Sequence, residues 1–275
     1  MLLFAASDAH HEPSAMHHVM DTLEWEFFNS LSKPLSLIWP FTKFHLLMLL
    51  AAIVICLIYI PLAKKIQTGQ APRGVFWNLF ESLLTFIRDN IAKPYIPHHT
   101  DHYVPFLWTM FLFVLVCNLL GMLPFACSPT ASFPMTLTLA GITFGYIHFS
   151  GIHENGLVGH LGAFAPHLDM PAALRFPILA ILWPIEFVGL IIKCFVLAVR
   201  LFANMFAGHM VLATILIFIY QARNFDPTLF WTVTFGSVFG ATALSLLELF
   251  VAFLQAFIFT FLTALFLGST LHPEH

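Results

Sequence analysis

Three ionisable residues recur at a spacing of seven in an otherwise apolar stretch: Glu186, Lys193 and Arg200, with Asn204 four residues further on. On a helix, steps of seven and four return to one broad face. His209, nine residues past Arg200, falls about half a turn away and faces elsewhere. A second set lies nearer the C-terminus. Ser245, Glu248 and Gln255 also share a helical face, again in apolar surroundings. Carboxyl, imidazole, amide and hydroxyl groups can pass protons or hold water, and in hydrocarbon such groups mark ion or proton pathways. Arg200 is the most demanding of them. Its charge costs on the order of 3 kcal/mol, or far more, at the centre of a bilayer, and no acid lies near it in sequence. At the end of a span it would escape into the headgroups, but Ala198 to Ala207 holds no Gly or Pro to end a helix. The charge therefore needs a partner, a wet cavity or a passing ligand.

The run Arg200-Leu201-Phe202-Ala203-Asn204-Met205-Phe206-Ala207-Gly208-His209, followed by Leu254-Gln255-Ala256-Phe257-Ile258-Phe259, resembles subunit a of the F-type ATP synthases. That family forms the stator half of a rotary proton channel, and the similarity runs from around His17 to the last helix. The resemblance implies a non-catalytic subunit with no cofactor. Its expected partners are a ring of c subunits, the peripheral-stalk b subunits, the rest of the FoF1 assembly and membrane lipid. The family's functional arginine falls on Arg200, facing the buried carboxyls of the c ring. A guanidinium stays charged at any physiological pH. It favours the ionised form of a carboxyl arriving beside it and blocks a direct leak between two half-channels. Lysine loses its charge more readily when buried, so Arg200→Lys is expected to fail in coupling.

The resemblance further implies an inlet half-channel that includes Glu248, His209, Asn204, Asn118 and Gln255, with Ser245 as an accessory. It implies an outlet that includes Glu186. Lys193 is either a salt-bridge partner of Glu186 or a side chain reaching for the interface. Many bacterial members carry an acid at the His209 position and a histidine at the Glu248 position. Here the two are exchanged, as in the mitochondrial form, which suggests that the side chains meet. A serine lining the outlet in some members is Gly189 here, so that detail does not carry over.

Composition sets the class independently. Hydrophobic residues make up 59% of the chain and charged ones 9%, against about 25% charged in soluble domains. This is the composition of an all-α polytopic membrane protein. No basic patch or nucleic-acid motif is present, and no GxxxxGK[ST] phosphate loop. Cys56, Cys117, Cys127 and Cys194 are scattered and form no CxxC pair, so they read as small packing residues. The histidines at positions 10, 11, 17 and 18 lack the regular spacing of metal ligands, and the group His98, His99, Asp101 and His102, in a proline-flanked setting, reads as a polar loop entering the next helix.

Along the chain, residues 1–43 form a mixed interfacial segment and 44–275 a membrane domain. Spans are expected over 45–62, 104–123, 135–149, 174–220 and 228–271. Between the first two, Phe76, Trp77, Phe80, Leu83, Leu84 and Ile87 recur at helical spacing among polar residues. They predict an amphipathic interfacial helix over 74–93. Residues 150–173, rich in Gly, Pro and His, read as a loop. The last two elements are far longer than a bilayer core of about 30 Å requires. Each either breaks into two spans or lies strongly tilted, and the resemblance implies the latter. The architecture expected is thus about five embedded helices plus one interfacial helix.

Lys and Arg loop charges set orientation. Lys64, Lys65, Arg73, Arg88, Lys93 and Arg175 lie on one side, and Lys33, Lys43 and Arg223 on the other. This predicts an outside N-terminus and a cytoplasmic C-terminus, and the resemblance implies a bacterial inner membrane. The alternative is a secondary ion-coupled transporter with a polar midplane site. It would need inverted repeats with broken helices in matching halves, and none is visible.

Overall fold

The structure, a computed structural model, describes residues 24–25, 35–36, 43–67, 74–97, 100–123, 128–163, 172–223 and 226–271. The N-terminal histidines and the pair His98 and His99 lie outside them. The chain is an all-α polytopic membrane protein. Among the described residues its helices are α1 (Lys43–Gln67), α2 (Val75–Phe86), α3 (Lys93–Tyr95), α4 (Thr100–Gly121), α5 (Phe133–Ala163), α6 (Ala172–Ala222) and α7 (Pro227–Leu271). A π-helical stretch, Ile87–Ala92, joins α2 to α3, and a 3-10 turn, Pro129–Ala131, precedes α5. Glu24–Trp25 and Leu35–Ser36 pair as two short antiparallel strands.

Four described segments are long and apolar enough to cross a membrane: Phe44–Ile66, Thr100–Gly121, Phe133–Leu157 and Pro227–Leu271. α6 is longer than any of them. Its 51 residues extend about 77 Å at 1.5 Å per residue. It runs unbroken through Pro177 and Pro184. A proline removes one backbone hydrogen bond, a loss that membrane helices absorb. Arg175, Glu186, Lys193 and Arg200 all fall in its N-terminal part, and residues 201–222 hold no charge except the histidine.

α7 packs against α6, α4 and α5, and α1 packs on α4. Phe111, Leu107, Leu201, Phe259 and Leu267 are fully buried where these helices meet. The outward faces carry large apolar side chains such as Leu57, Ile192, Phe239 and Phe250. That arrangement suits hydrocarbon as the solvent. Threonines on the helices satisfy themselves. Thr138, Thr143, Thr214, Thr260 and Thr263 each donate to the carbonyl four residues back.

The segment from α2 to the start of α4 packs as one unit. Ile87, Ile91 and Ala92 of the π turn are fully buried, while Arg88 and Lys93 point outward to Asp101 and Asp89, each at 2.6 Å. Trp108 Nε1 donates to the Leu84 carbonyl at 2.9 Å, tying α2 to α4. Gly268 allows the end of α3 to approach α7, because any side chain there would overlap the Tyr95 carbonyl.

One segment differs from its sequence reading. Composition predicts a loop after Phe149, but helix α5 continues to Ala163, interrupted only at Gly156, which has φ 69° and ψ 169°. Glycine reaches this conformation without the Cβ clash that other residues suffer. The chain reverses there. His148 Nδ1 and His160 Nε2 lie 2.8 Å apart, whereas 12 residues of straight helix would separate them by about 18 Å. Glu154 accepts from Tyr103 Oη at 3.0 Å. Asn155 donates to the Thr270 and Leu271 carbonyls at 3.1 and 3.4 Å, covering part of the open C-terminal end of α7.

Candidate functional site

The centre of the site is the crossing of α6 and α7 at Gly208. A Cβ at this position would lie 2.7 Å from Glu248 Oε1 and 3.0 Å from its Cδ. The missing side chain gives the carboxylate its space. The next residue, His209, directs Nδ1 toward Glu248 Oε1 at 3.7 Å. Both side chains are largely enclosed, 15% and 7% exposed. The distance is just beyond a direct hydrogen bond. Among the described residues, neither His209 Nε2 nor Glu248 Oε1 has a hydrogen-bond partner. Buried polar atoms of this kind are otherwise paired almost without exception. A carboxyl and an imidazole poised this way can exchange a proton after a small side-chain rotation, or through one water.

Along α7 the same face continues. Ala252 is fully buried and Gln255 is 5% exposed, while Ser245, three residues before Glu248, is half-buried. Asn118 near the end of α4 is fully buried and donates from Nδ2 to the Ala252 carbonyl at 3.3 Å. Its Oδ1 accepts from Thr130 Oγ1 at 2.6 Å, and Thr130 Oγ1 meets Ser128 Oγ at 2.6 Å. A polar cluster from four separate elements is thus enclosed between α4, α6 and α7.

Arg200 is placed elsewhere. It is exposed on α6, with exposed Val196, Ala203 and Ala207 near it along the helix. Glu186 and Lys193 are exposed as well. Lys193 Nζ lies over the Phe266 ring, 5.5 Å from its centroid, a cation–π distance. Glu186 and Lys193 form no ion pair with each other among the described residues. Asn204 is half-buried on α6. The predicted residues therefore divide into two groups. His209, Glu248, Gln255 and Asn118 gather inside, on or against α7. Glu186, Lys193 and Arg200 stand on the open surface of α6.

Thr130, Ser128 and Gly208 escaped the sequence reading as members of this cluster. The two hydroxyls lie in a proline-containing turn without periodicity. The glycine lies inside the quoted motif, yet only the crossing geometry shows why it carries no side chain.

Comparison with known proteins places the chain in a family. The family described as ATP synthase A chain matches residues 45–268. The chain is 38% identical to ATP synthase subunit a 2 of Chlorobaculum tepidum over 94% of its own length and 73% of the relative's. It is 39% identical to ATP synthase subunit a of Chloroherpeton thalassium over 96% of its own length and 80% of the relative's. It is 40% identical to ATP synthase subunit a of Anaeromyxobacter dehalogenans over 84% and 58%, respectively.

Proposed function

The chain belongs to the ATP synthase A chain family, subunit a of the F-type enzymes, and from that premise we propose that it carries protons past a rotor through two offset half-channels. The observation that carries the reading is the division of its polar groups. An enclosed carboxyl–imidazole pair lies at the α6–α7 crossing, while an arginine stands on the open face of the same helix. A path confined to one buried cluster would need no exposed arginine in an apolar surface.

In this reading, protons enter from outside the cell through Asn118, Asn204, His209, Glu248 and Gln255. His209 and Glu248 act as the relay. The c ring packs on the open face of α6, so that each rotor carboxyl passes Arg200. The fixed positive charge stabilises the carboxylate once its proton leaves. The released proton departs past Glu186, and Lys193 keeps its cation on Phe266. Arg200 also separates the two paths. Entering protons meet a permanent cation and continue only by riding the rotor. A charge crossing 100 mV gains about 2.3 kcal/mol, so rotation must accumulate several steps before ATP forms on partner subunits. The peripheral-stalk b subunits and the remaining FoF1 subunits hold this chain against the ring. The protein sits in a bacterial inner membrane with its C-terminus in the cytoplasm, as the loop charges favour.

The test is ATP-driven acidification of inverted vesicles that contain the complex with Arg200→Ala. Loss of pumping in a fully assembled complex is expected. Normal pumping would favour the transporter alternative.

A further inference from the structure

The 3-10 turn before α5 places two hydroxyls deep inside the molecule. Ser128 and Thr130 are fully buried, as is Asn118 beside them. Uncompensated, each buried hydroxyl is costly. Here each has a partner, and the partners fix a direction. Asn118 uses its amide nitrogen toward the Ala252 carbonyl, so its amide oxygen is the end that receives Thr130. A hydroxyl has one proton to give. Thr130 commits its proton to Asn118, so Ser128 must be the donor in the 2.6 Å contact between the two hydroxyls. The chain runs one way: Ser128 to Thr130, Thr130 to Asn118, Asn118 to the Ala252 carbonyl. Turned over, the Asn118 amide would set oxygen against that carbonyl.

The turn reaches Asn118 through a second device. Gly121 lies one helical turn beyond Asn118, and any side chain on it would overlap Ser128 Cβ. The absent side chain lets the turn settle onto α4. Ala252, where the hydrogen-bond chain ends, is one turn from Glu248 on the same face of α7.

We propose that Ser128 and Thr130 are positioning residues for proton translocation: their hydroxyls lock the Asn118 amide as a donor to α7, one turn from Glu248. The proposal rests on the reading of Asn118 as part of the inlet half-channel. A turn that served stability alone would leave conductance unchanged once the complex has assembled.

The test measures passive proton conductance in vesicles carrying assembled Fo, after removal of the nucleotide-binding sector. The variants are Asn118→Ala, Thr130→Val, Thr130→Ser and the double Asn118→Ala/Thr130→Val. Thr130→Val should lower conductance about fivefold, the worth of one hydrogen bond, and Asn118→Ala, which loses both of its bonds, by at least as much. Thr130→Ser, which keeps the hydroxyl, should restore it. The double variant should be no worse than Asn118→Ala, because Thr130 acts through Asn118. Wild-type conductance in Thr130→Val, or a double loss near the product of the two single losses, would overturn the proposal. A Thr130→Val defect with normal Asn118→Ala would overturn it too. Normal conductance in Asn118→Ala and Thr130→Val alike would instead sink the inlet reading, and the proposal with it. If Thr130→Val fails to assemble, Ser128→Ala decides. A loss of about twofold there, from weakened support of the remaining bond, supports the proposal, and full conductance overturns it.

Discussion

Gly208→Ala adds one methyl group at the crossing of α6 and α7. Its carbon would sit 2.7 Å from Glu248 Oε1, 3.0 Å from Cδ and 3.5 Å from Cγ. Ordinary contact between a methyl and an oxygen needs about 3.4 Å or more, so the carboxylate must retreat by roughly 0.7 Å. Two effects oppose each other in stability. Alanine gains about 1 kcal/mol of helix propensity over glycine, and overpacking costs about 1–3 kcal/mol. The fold should therefore survive with little net loss. Proton transfer has no such compensation, because the His209–Glu248 separation of 3.7 Å is already just beyond a direct hydrogen bond. If the overpacking energy falls on the carboxylate, ATP-driven acidification should drop about 5- to 160-fold at unchanged subunit content. Shortening the acid should relieve the clash, so Gly208→Ala/Glu248→Asp should pump better than Gly208→Ala alone. Quench of a pH-sensitive dye in inverted vesicles reads the rate, and immunoblotting of the a and c subunits checks assembly. Wild-type pumping by Gly208→Ala would refute the claim that the carboxylate's position at this crossing matters. Equal defects in the single and double variants would refute the steric explanation.

The exchange of His209 and Glu248 offers a second check. Each single replacement, His209→Glu or Glu248→His, creates a like pair and should abolish most ATP-driven pumping. The double exchange should recover a measurable part, and recovery no better than the singles would show that the two groups work independently. Arg200→Lys should also fail to couple, since an ammonium on the open face can give up the charge that a guanidinium keeps. ATP-dependent acidification at normal complex content would detect it, and full coupling with lysine would remove the need for a permanently charged group.

The sequence revealed the polar groups far better than their surroundings. A period of seven put Glu186, Lys193 and Arg200 on one face, and all three are exposed together on α6. That pattern is local and survives any packing. His209 and Glu248 lie 39 positions apart, and only the exchanged residue types hinted that they meet. No local rule predicts that Gly208 would make room for the meeting. The hydroxyls of Ser128 and Thr130 were hidden for a similar reason. A turn has no period, so nothing in Ser128-Pro129-Thr130 tells which way its side chains point. The reading of residues 150–163 as a loop failed because Gly and His content was weighed as irregular structure. Helix α5 uses Gly156 as a single reversal and keeps helical geometry on either side. Gly151 is part of the same packing, since a side chain there would overlap His160. Prolines misled less. Pro177 and Pro184 lie in α6 without dividing it, as a membrane helix supported by neighbours allows.

The most direct measurement is passive proton flow through Arg200→Ala complexes after the nucleotide-binding sector has been stripped away. The account predicts an assembled complex that cannot pump with ATP yet leaks protons readily, because the cation separating inlet from outlet is gone. A complex that neither pumps nor leaks would contradict the sealing role and leave Arg200 only its action on the rotor carboxyl. Normal ATP-driven pumping would contradict the central claim itself, that this arginine on the open face of α6 couples proton flow to the rotor.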